Sequence, residues 1–132
     1  MTQKNKELLL KDLCARLPYG IKASYYGVEE ECETWDEIEG ITLDEDFGGY
    51  VDIGQYSLPI ERIKPYLFPM SSMTEEQKVI YGDLCYSIIQ SLAKNMQSEL
   101  NELINWLNAH HFDYRGLIEK GLAIDATGLD VY

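Results

Sequence analysis

His110 and His111 are the only two histidines of the chain, and Asp113 follows two residues later. A histidine base oriented by a carboxylate would suit a small hydrolase or a metal-dependent enzyme. The spacing argues against both. Adjacent residues on a helix diverge by about 100°, so the two imidazoles do not chelate one ion easily. Zinc needs three or four ligands, and no Cys, Asp or Glu stands at ligand spacing to complete the set. No nucleophile motif accompanies the pair. The ordinary role for such residues is to sit at a helix C-terminus, where the dipole favours them. The segment from Asp44 to Asp52 resembles a calcium loop in part, with Asp44, Asp46, Gly49 and Asp52 at positions 1, 3, 6 and 9. Position 5 is Gly48 and position 12 is Gln55, where the loop needs ligands. A hairpin turn is the expected form. The glycines make no phosphate loop or dinucleotide fingerprint, and there is no nucleophile elbow. The residues therefore point to no enzymatic activity, no metal site and no cofactor.

Charge is the most uneven property of the chain. The formal net charge is −12. Between Ala23 and Glu61 there are twelve acids and no Lys or Arg, while the rest of the chain holds eleven of each sign. The twelve are Glu29, Glu30, Glu31, Glu33, Asp36, Glu37, Glu39, Asp44, Glu45, Asp46, Asp52 and Glu61. Nucleic acids and anionic lipids bind through Lys and Arg, so direct binding of either through this window is not expected. A basic protein surface would be steered toward it. The plainer alternative is a set of strands with a solvated acidic face.

Ten tyrosines are many for 132 residues. Tyr25, Tyr26, Tyr50, Tyr56 and Tyr66 fall in or near the strand-like region. Cross-strand packing accounts for them, and an aromatic groove for a peptide is the alternative. Cys14, Cys32 and Cys85 are odd in number and widely spaced, which reads as reduced thiols in a cytoplasm. No apolar run approaches the ~18 residues of a membrane span, so no membrane association is expected.

These side chains need elements to position them. Residues 1–18 predict a helix from Asn5 to Leu17, with Leu9, Leu13 and Leu17 four apart, Asn5 as cap, and Pro18 and Gly20 as stop. Residues 19–58 change toward a period of two and predict an acidic β-meander of four or five short strands with glycine turns. That is the size of a small antiparallel sheet or an SH3-like barrel. Residues 59–73 contain Pro59, Pro65 and Pro69 and predict one helical turn and an extended connection. Residues 74–123 are helical. Thr74 and Gln77 fit a capping box, and Ile80, Leu84, Ile88, Leu92 and Met96 run four apart as the expected core stripe, with Trp106 also assigned to the core. One helix from Thr74 to His110 would be about 55 Å long, so a break near 95–98 and a helical hairpin are expected, with Ser98 as second cap. A short closing helix from Asp113 to Lys120 follows, and residues 124–132 read as a loose tail. The fold class is α+β in one domain.

Three segments carry a family resemblance: KDLCARLPYG at 11–20, IKPYLFPMSSMTEE at 63–76 and WLNAHHFDYRGLIEKGLA at 106–123. Together they resemble a group of small proteins of Bacteroidales and their phages and mobile elements. The group carries no assigned activity. The resemblance covers 42 residues, implies a bacterial or phage cytoplasmic origin, and names no site.

The functional expectation is a non-enzymatic interaction or accessory protein that docks basic partners through the acidic sheet face. The candidate contacts are Glu29, Glu30, Glu31, Glu33, Asp36, Glu37, Asp44, Asp46, Tyr25 and Tyr50. The alternatives are the small hydrolase or metal enzyme built on His110, His111 and Asp113, and the peptide-binding SH3-like module.

Overall fold

The computed structural model describes residues 1–26, 34–44, 48–90 and 96–132. Helix α1 (Gln3–Arg16) opens the chain. Its cap is Thr2, whose hydroxyl accepts the Asn5 N–H at 3.2 Å, so the helix starts earlier than an Asn5 cap would allow. A 3₁₀ turn (Leu17–Tyr19) with Pro18 closes it, and Gly20 at φ 74° supplies the left-handed exit.

Four antiparallel strands follow as a meander: β1 (Lys22–Tyr25), β2 (Thr34–Asp44), β3 (Gly48–Ile53) and β4 (Tyr56–Pro59). Gly40 does not end a strand. Instead β2 bulges at Glu39, which lets Ile38 and Ile41 both face inward although they are three residues apart. Conversely, the run from Tyr50 to Tyr56 is broken by Gly54, at φ 58°, into a tight β3–β4 hairpin.

The proline-containing connection holds the main surprise. After a 3₁₀ turn (Ile60–Arg62) it becomes β5 (Ile63–Pro69), which pairs antiparallel with β1 and places the buried Pro65 opposite Ala23. Proline inside a run normally argues against an interior strand, which is why the sequence reads as a connection. A third 3₁₀ turn (Met70–Ser72) leads to α2 (Glu75–Gln90) and α3 (Met96–Ala109). The capping box forms as expected: the Thr74 hydroxyl accepts the Gln77 N–H at 3.2 Å and the Gln77 side-chain oxygen accepts the Thr74 N–H at 2.9 Å. The two helices pack on one another, with Tyr81 near the start of α2 beside Trp106 near the end of α3, a hairpin arrangement. Helix α3 is already under way at Ser98, so Ser98 is not its cap.

Residues 113–120 form turns rather than a closing helix. Strand β6 (Phe112–Asp113) pairs parallel with β5, and the Asp113 carboxylate accepts the backbone N–H groups of Leu117 and Ile118, both at 2.9 Å. That side chain starts the turn, and backbone bonds such as Leu122 N–H to the Leu117 carbonyl, at 2.9 Å, close it. Nor is the C-terminal segment loose. Strand β7 (Ile124–Asp125) pairs parallel with β5, and Ala126 and Val131 are buried against Tyr66.

The sheet order is β4-β3-β2-β1-β5-β6, with β7 also on β5, and the fold is α+β. Its inner face packs on α1 through Leu9 and Leu13, together with Ile21, Ile38, Val51, Ile53, Ile63 and Leu67. Each such side chain contributes about 1.5–3 kcal/mol on burial. The helical hairpin stands apart from this core. It meets the body through a smaller cluster of Met73, Leu107 and Phe112, with Phe68, Tyr81 and Trp106 packed against it.

Candidate interaction site

The histidine constellation does not assemble. The His110 ring is exposed and lies over Trp106 at 4.8 Å, with Nδ1 2.9 Å from the Trp106 carbonyl. The His111 ring is half-buried and stacks on Tyr132 at 3.8 Å. Its backbone sits at φ 61°, held because its N–H donates to the Asn108 carbonyl while its own carbonyl accepts the Phe68 N–H. Both rings line a hollow of about 380 Å³ with Phe68, Ser72, Thr74 and Gln77. Asp113 does not line it; its two oxygens are engaged by the turn that follows. No base oriented by Asp113 results. Among the described residues, no group of three His, Cys, Asp or Glu is placed to hold a metal ion.

His111 has a pH consequence nonetheless. Burial, with Arg16, His110 and Lys22 adding positive charge nearby, lowers its pKa to about 4. An unfolded histidine titrates near 6.5. The folded state therefore favours the neutral ring, and that stability is present above about pH 6.5 and is lost as pH falls toward 4. With allowance for its partial exposure, the loss is about 1–2 kcal/mol. His111→Asn tolerates the left-handed backbone and removes the titration. Denaturant unfolding between pH 7 and 4 should show a shallower stability loss in the variant, and equal slopes would refute the assignment.

The acidic window is divided. Glu29, Glu30, Glu31, Glu33, Glu45 and Asp46 lie outside the described residues, and of Asp44 only the backbone is described, paired with Gly48. Cross-strand partners share a face, so Asp36, opposite Ala23, belongs to the inner side of β2, and Glu37, opposite Lys22, to the outer side. Asp52 shares the outer face and Glu39 occupies the bulge. Glu61 forms an ion pair with Lys6 of α1, whose ammonium holds the carboxyl below its usual range. The tyrosines are divided as well. Tyr25 is buried in the core against Tyr56, whereas Tyr50 stands on the opposite face of the sheet. Tyr26 is exposed, and its hydroxyl donates to the Glu61 carbonyl at 2.6 Å. These residues form no common groove.

The structure adds two features. The first is a buried ionic cluster. Asp12 and Arg16 of α1 are both fully buried, and Arg16 Nε donates to Asp12 at 2.8 Å. Arg115 donates to the other Asp12 oxygen at 2.7 Å, and Arg16 Nη2 donates to the Phe112 carbonyl at 2.6 Å. Tyr114 joins Arg115 to the buried Asn108. This cluster fastens α1 to the segment after α3. It draws on the 11–20 and 106–123 segments, and the Phe68–His111 backbone bond brings in the 63–76 segment. A signal for it existed: Leu9, Asp12, Leu13 and Arg16 stand at i, i+3, i+4 and i+7, the spacing of one helix face. The buried face is rotated from the one read through Leu9, Leu13 and Leu17: it ends on Arg16 rather than Leu17.

The second feature is α2. The stripe read as core is not buried: no described residue of α2 is. Val79 is 63% exposed, Ile80 44%, Tyr86 62% and Ile89 61%. Tyr81, Leu84, Cys85 and Ile88 are partly covered on the side of the helix turned to α3. Val79, Gly82, Tyr86 and Ile89 form a separate stripe spaced by three, four and three residues. A helix that is apolar on two sides is normally enclosed, and α2 is not.

No helix among the described residues is long and apolar enough to cross a membrane. In comparisons with known proteins, no family model, no curated protein and no solved structure matches the chain.

Proposed function

We propose that this chain is a non-enzymatic interaction protein whose α+β body presents α2 as the contact surface for another protein chain. The observation that carries this reading is the exposure of Val79, Ile80, Tyr86 and Ile89 on a helix with no buried residue. With about 60–120 Å² for an aliphatic side chain and 150–250 Å² for tyrosine, those exposures leave roughly 300 Å² of apolar surface in water. Val79, Tyr86 and Ile89 carry roughly 250 Å² of it on one side of the helix, and Ile80 lies on another side. The histidine hollow supports the enzyme reading less well, because its carboxylate is committed elsewhere. The divided acids support a basic docking face less well than α2 supports an apolar one. The resemblance in three segments adds a host context to the same proposal, an accessory protein of Bacteroidales or their phages.

A photo-crosslinking amino acid at Tyr86 or Ile89, compared in living cells with one at the exposed Glu119, tests the reading. Protein adducts should be several-fold more abundant from positions 86 and 89. Equal yields from all three positions would overturn it.

A further inference from the structure

From its walls and its unspent hydrogen-bonding groups, we infer that the hollow beside His110 and His111 binds a small, planar, uncharged aromatic molecule with an amide edge, a C=O next to an N–H. The inference does not depend on the exposed side of α2.

The hollow measures about 380 Å³, within the range of small-molecule sites. Four rings line it, those of Phe68, His110, His111 and Phe112. Phe68 and Phe112 meet edge to face at 6.5 Å and make an apolar corner. Aromatic walls favour a flat ligand that they meet by stacking or by edge contact. Among the described residues, no Lys, Arg, Asp or Glu lines the hollow, although the chain carries −12. A charged ligand would therefore lose hydration there without meeting a fixed counter-charge.

The polar groups set the edge that the ligand must present. His110 Nδ1 lies 2.9 Å from the Trp106 carbonyl, which only accepts, so Nδ1 carries the proton and the uncharged ring keeps a lone pair on Nε2. His111 takes the opposite tautomer. Its Nδ1 is buried without a partner, and the nearby Arg16 charge favours a lone pair there over an N–H. The proton then sits on Nε2, the ring nitrogen that is not closed off. Two adjacent histidines thus offer one acceptor and one donor to the same hollow, and an amide edge supplies the matching N–H and C=O. The capping box leaves two further donors unspent. Thr74 Oγ and Gln77 Oε1 both accept backbone N–H groups, so the Thr74 hydroxyl proton and the Gln77 side-chain nitrogen remain for the second lone pair of the ligand carbonyl. Phe68 belongs to β5, Gln77 to α2 and the histidines to the turn after α3, so the site lies where the helical hairpin joins the body.

NMR of the full chain at pH 8, above the ordinary histidine range, tests the inference in two steps. Long-range proton–nitrogen spectra should show the proton on Nδ1 of His110 and on Nε2 of His111. Nicotinamide, with its amide on the ring, and hypoxanthine, with its amide within the ring, are then titrated separately. At least one should shift both histidine rings and the Gln77 side-chain amide saturably, with a Kd of about 1 mM or tighter, as suits a ligand of about ten heavy atoms. The stronger arm tells which kind of amide the site takes. N,N-Diethylnicotinamide, which lacks the N–H, and nicotinate, which is charged, should bind about tenfold more weakly. His110→Phe keeps a ring over Trp106 but removes the acceptor. It should weaken the amide about tenfold and leave the N–H-free control unchanged. Histidines in the same tautomer, no saturable shift with either amide at tens of millimolar, or nicotinate binding as tightly as the amide would each overturn the inference. Should His110→Phe fail to fold, the tautomers and the control ligands decide the matter on the wild-type chain.

Discussion

Asp12→Ala is expected to destabilise the fold by about 3–5 kcal/mol, which for a chain of this length lowers the melting temperature by about 10–18 °C. Asp12 is the single carboxylate between two guanidinium groups, Arg16 at 2.8 Å and Arg115 at 2.7 Å. Arg16 is wholly enclosed, and its Nη1 has no hydrogen-bond partner. Removing the carboxylate leaves that charge buried without a counter-charge, and breaking one side of a buried pair costs more than the pair itself contributes. Arg115 is partly exposed and recovers water, so it suffers less. The same reasoning orders the other variants. Arg16→Met removes the charge along with its unpartnered nitrogen and is expected to cost less than Asp12→Ala. The double variant Asp12→Leu, Arg16→Met should recover much of the loss, because apolar residues of similar volume often replace a buried pair at little cost. Denaturant unfolding of the three variants checks the order. An Asp12→Ala protein within about 1 kcal/mol of wild type would show that the cluster is hydrated in solution and does not fasten α1 to the segment after α3.

That cluster also shows where sequence reading reaches its limit. A local pattern was legible wherever a local force decides the outcome: the Pro18 and Gly20 stop of α1, the Thr74–Gln77 capping box and the hairpin around 44–48. The break between the long helices was expected at 95–98, where residues 96–98 belong to α3. Asp12 and Arg16 have the i, i+4 spacing of an ordinary surface pair, and what buries them arrives from residues 112–115, about a hundred positions away. Pro65 hid β5 for a related reason. Its missing N–H argues against a strand, and only its packing opposite Ala23 makes the strand acceptable. The i, i+4 run of Ile80, Leu84 and Ile88 was visible as apolar, and Leu84 and Ile88 are partly covered; the exposed Val79 and Tyr86 stand off that run, where the same period does not register them. The acids were countable, yet alternation along β2 sends Asp36 and Glu37 to opposite sides, so a count along a strand does not say which face carries each charge.

The segment read as a loose tail yields the second large effect: Tyr132→Ala is expected to cost about 2–4 kcal/mol. Truncating a buried aromatic costs about 3–5 kcal/mol, and Tyr132 is partly exposed, which reduces the figure. Its ring stacks on His111 at 3.8 Å and lies near Phe68 at 5.9 Å. Its hydroxyl donates to the Tyr66 carbonyl at 2.8 Å and accepts the Lys22 N–H at 3.0 Å, so it ties β5 to the start of β1. Burial also raises the phenol's pKa, so the hydroxyl keeps its proton across the physiological range. Tyr132→Phe keeps the ring and should cost about 1–2 kcal/mol, the usual value for losing such hydrogen bonds. The two variants differ in a second readout. Burial is what holds the His111 pKa near 4, and the Tyr132 ring covers one of its faces. Tyr132→Ala should therefore return His111 toward 6.5, and Tyr132→Phe should leave it low. NMR titration of the His111 ring, alongside amide exchange of residues 124–131, reads both effects. A Tyr132→Ala protein that melts within about 2 °C of wild type, with the His111 titration unmoved, would mean that the segment does not cover β5 in solution; a general destabilisation alone would lower the melting temperature of the alanine variant but would not separate the two variants at His111.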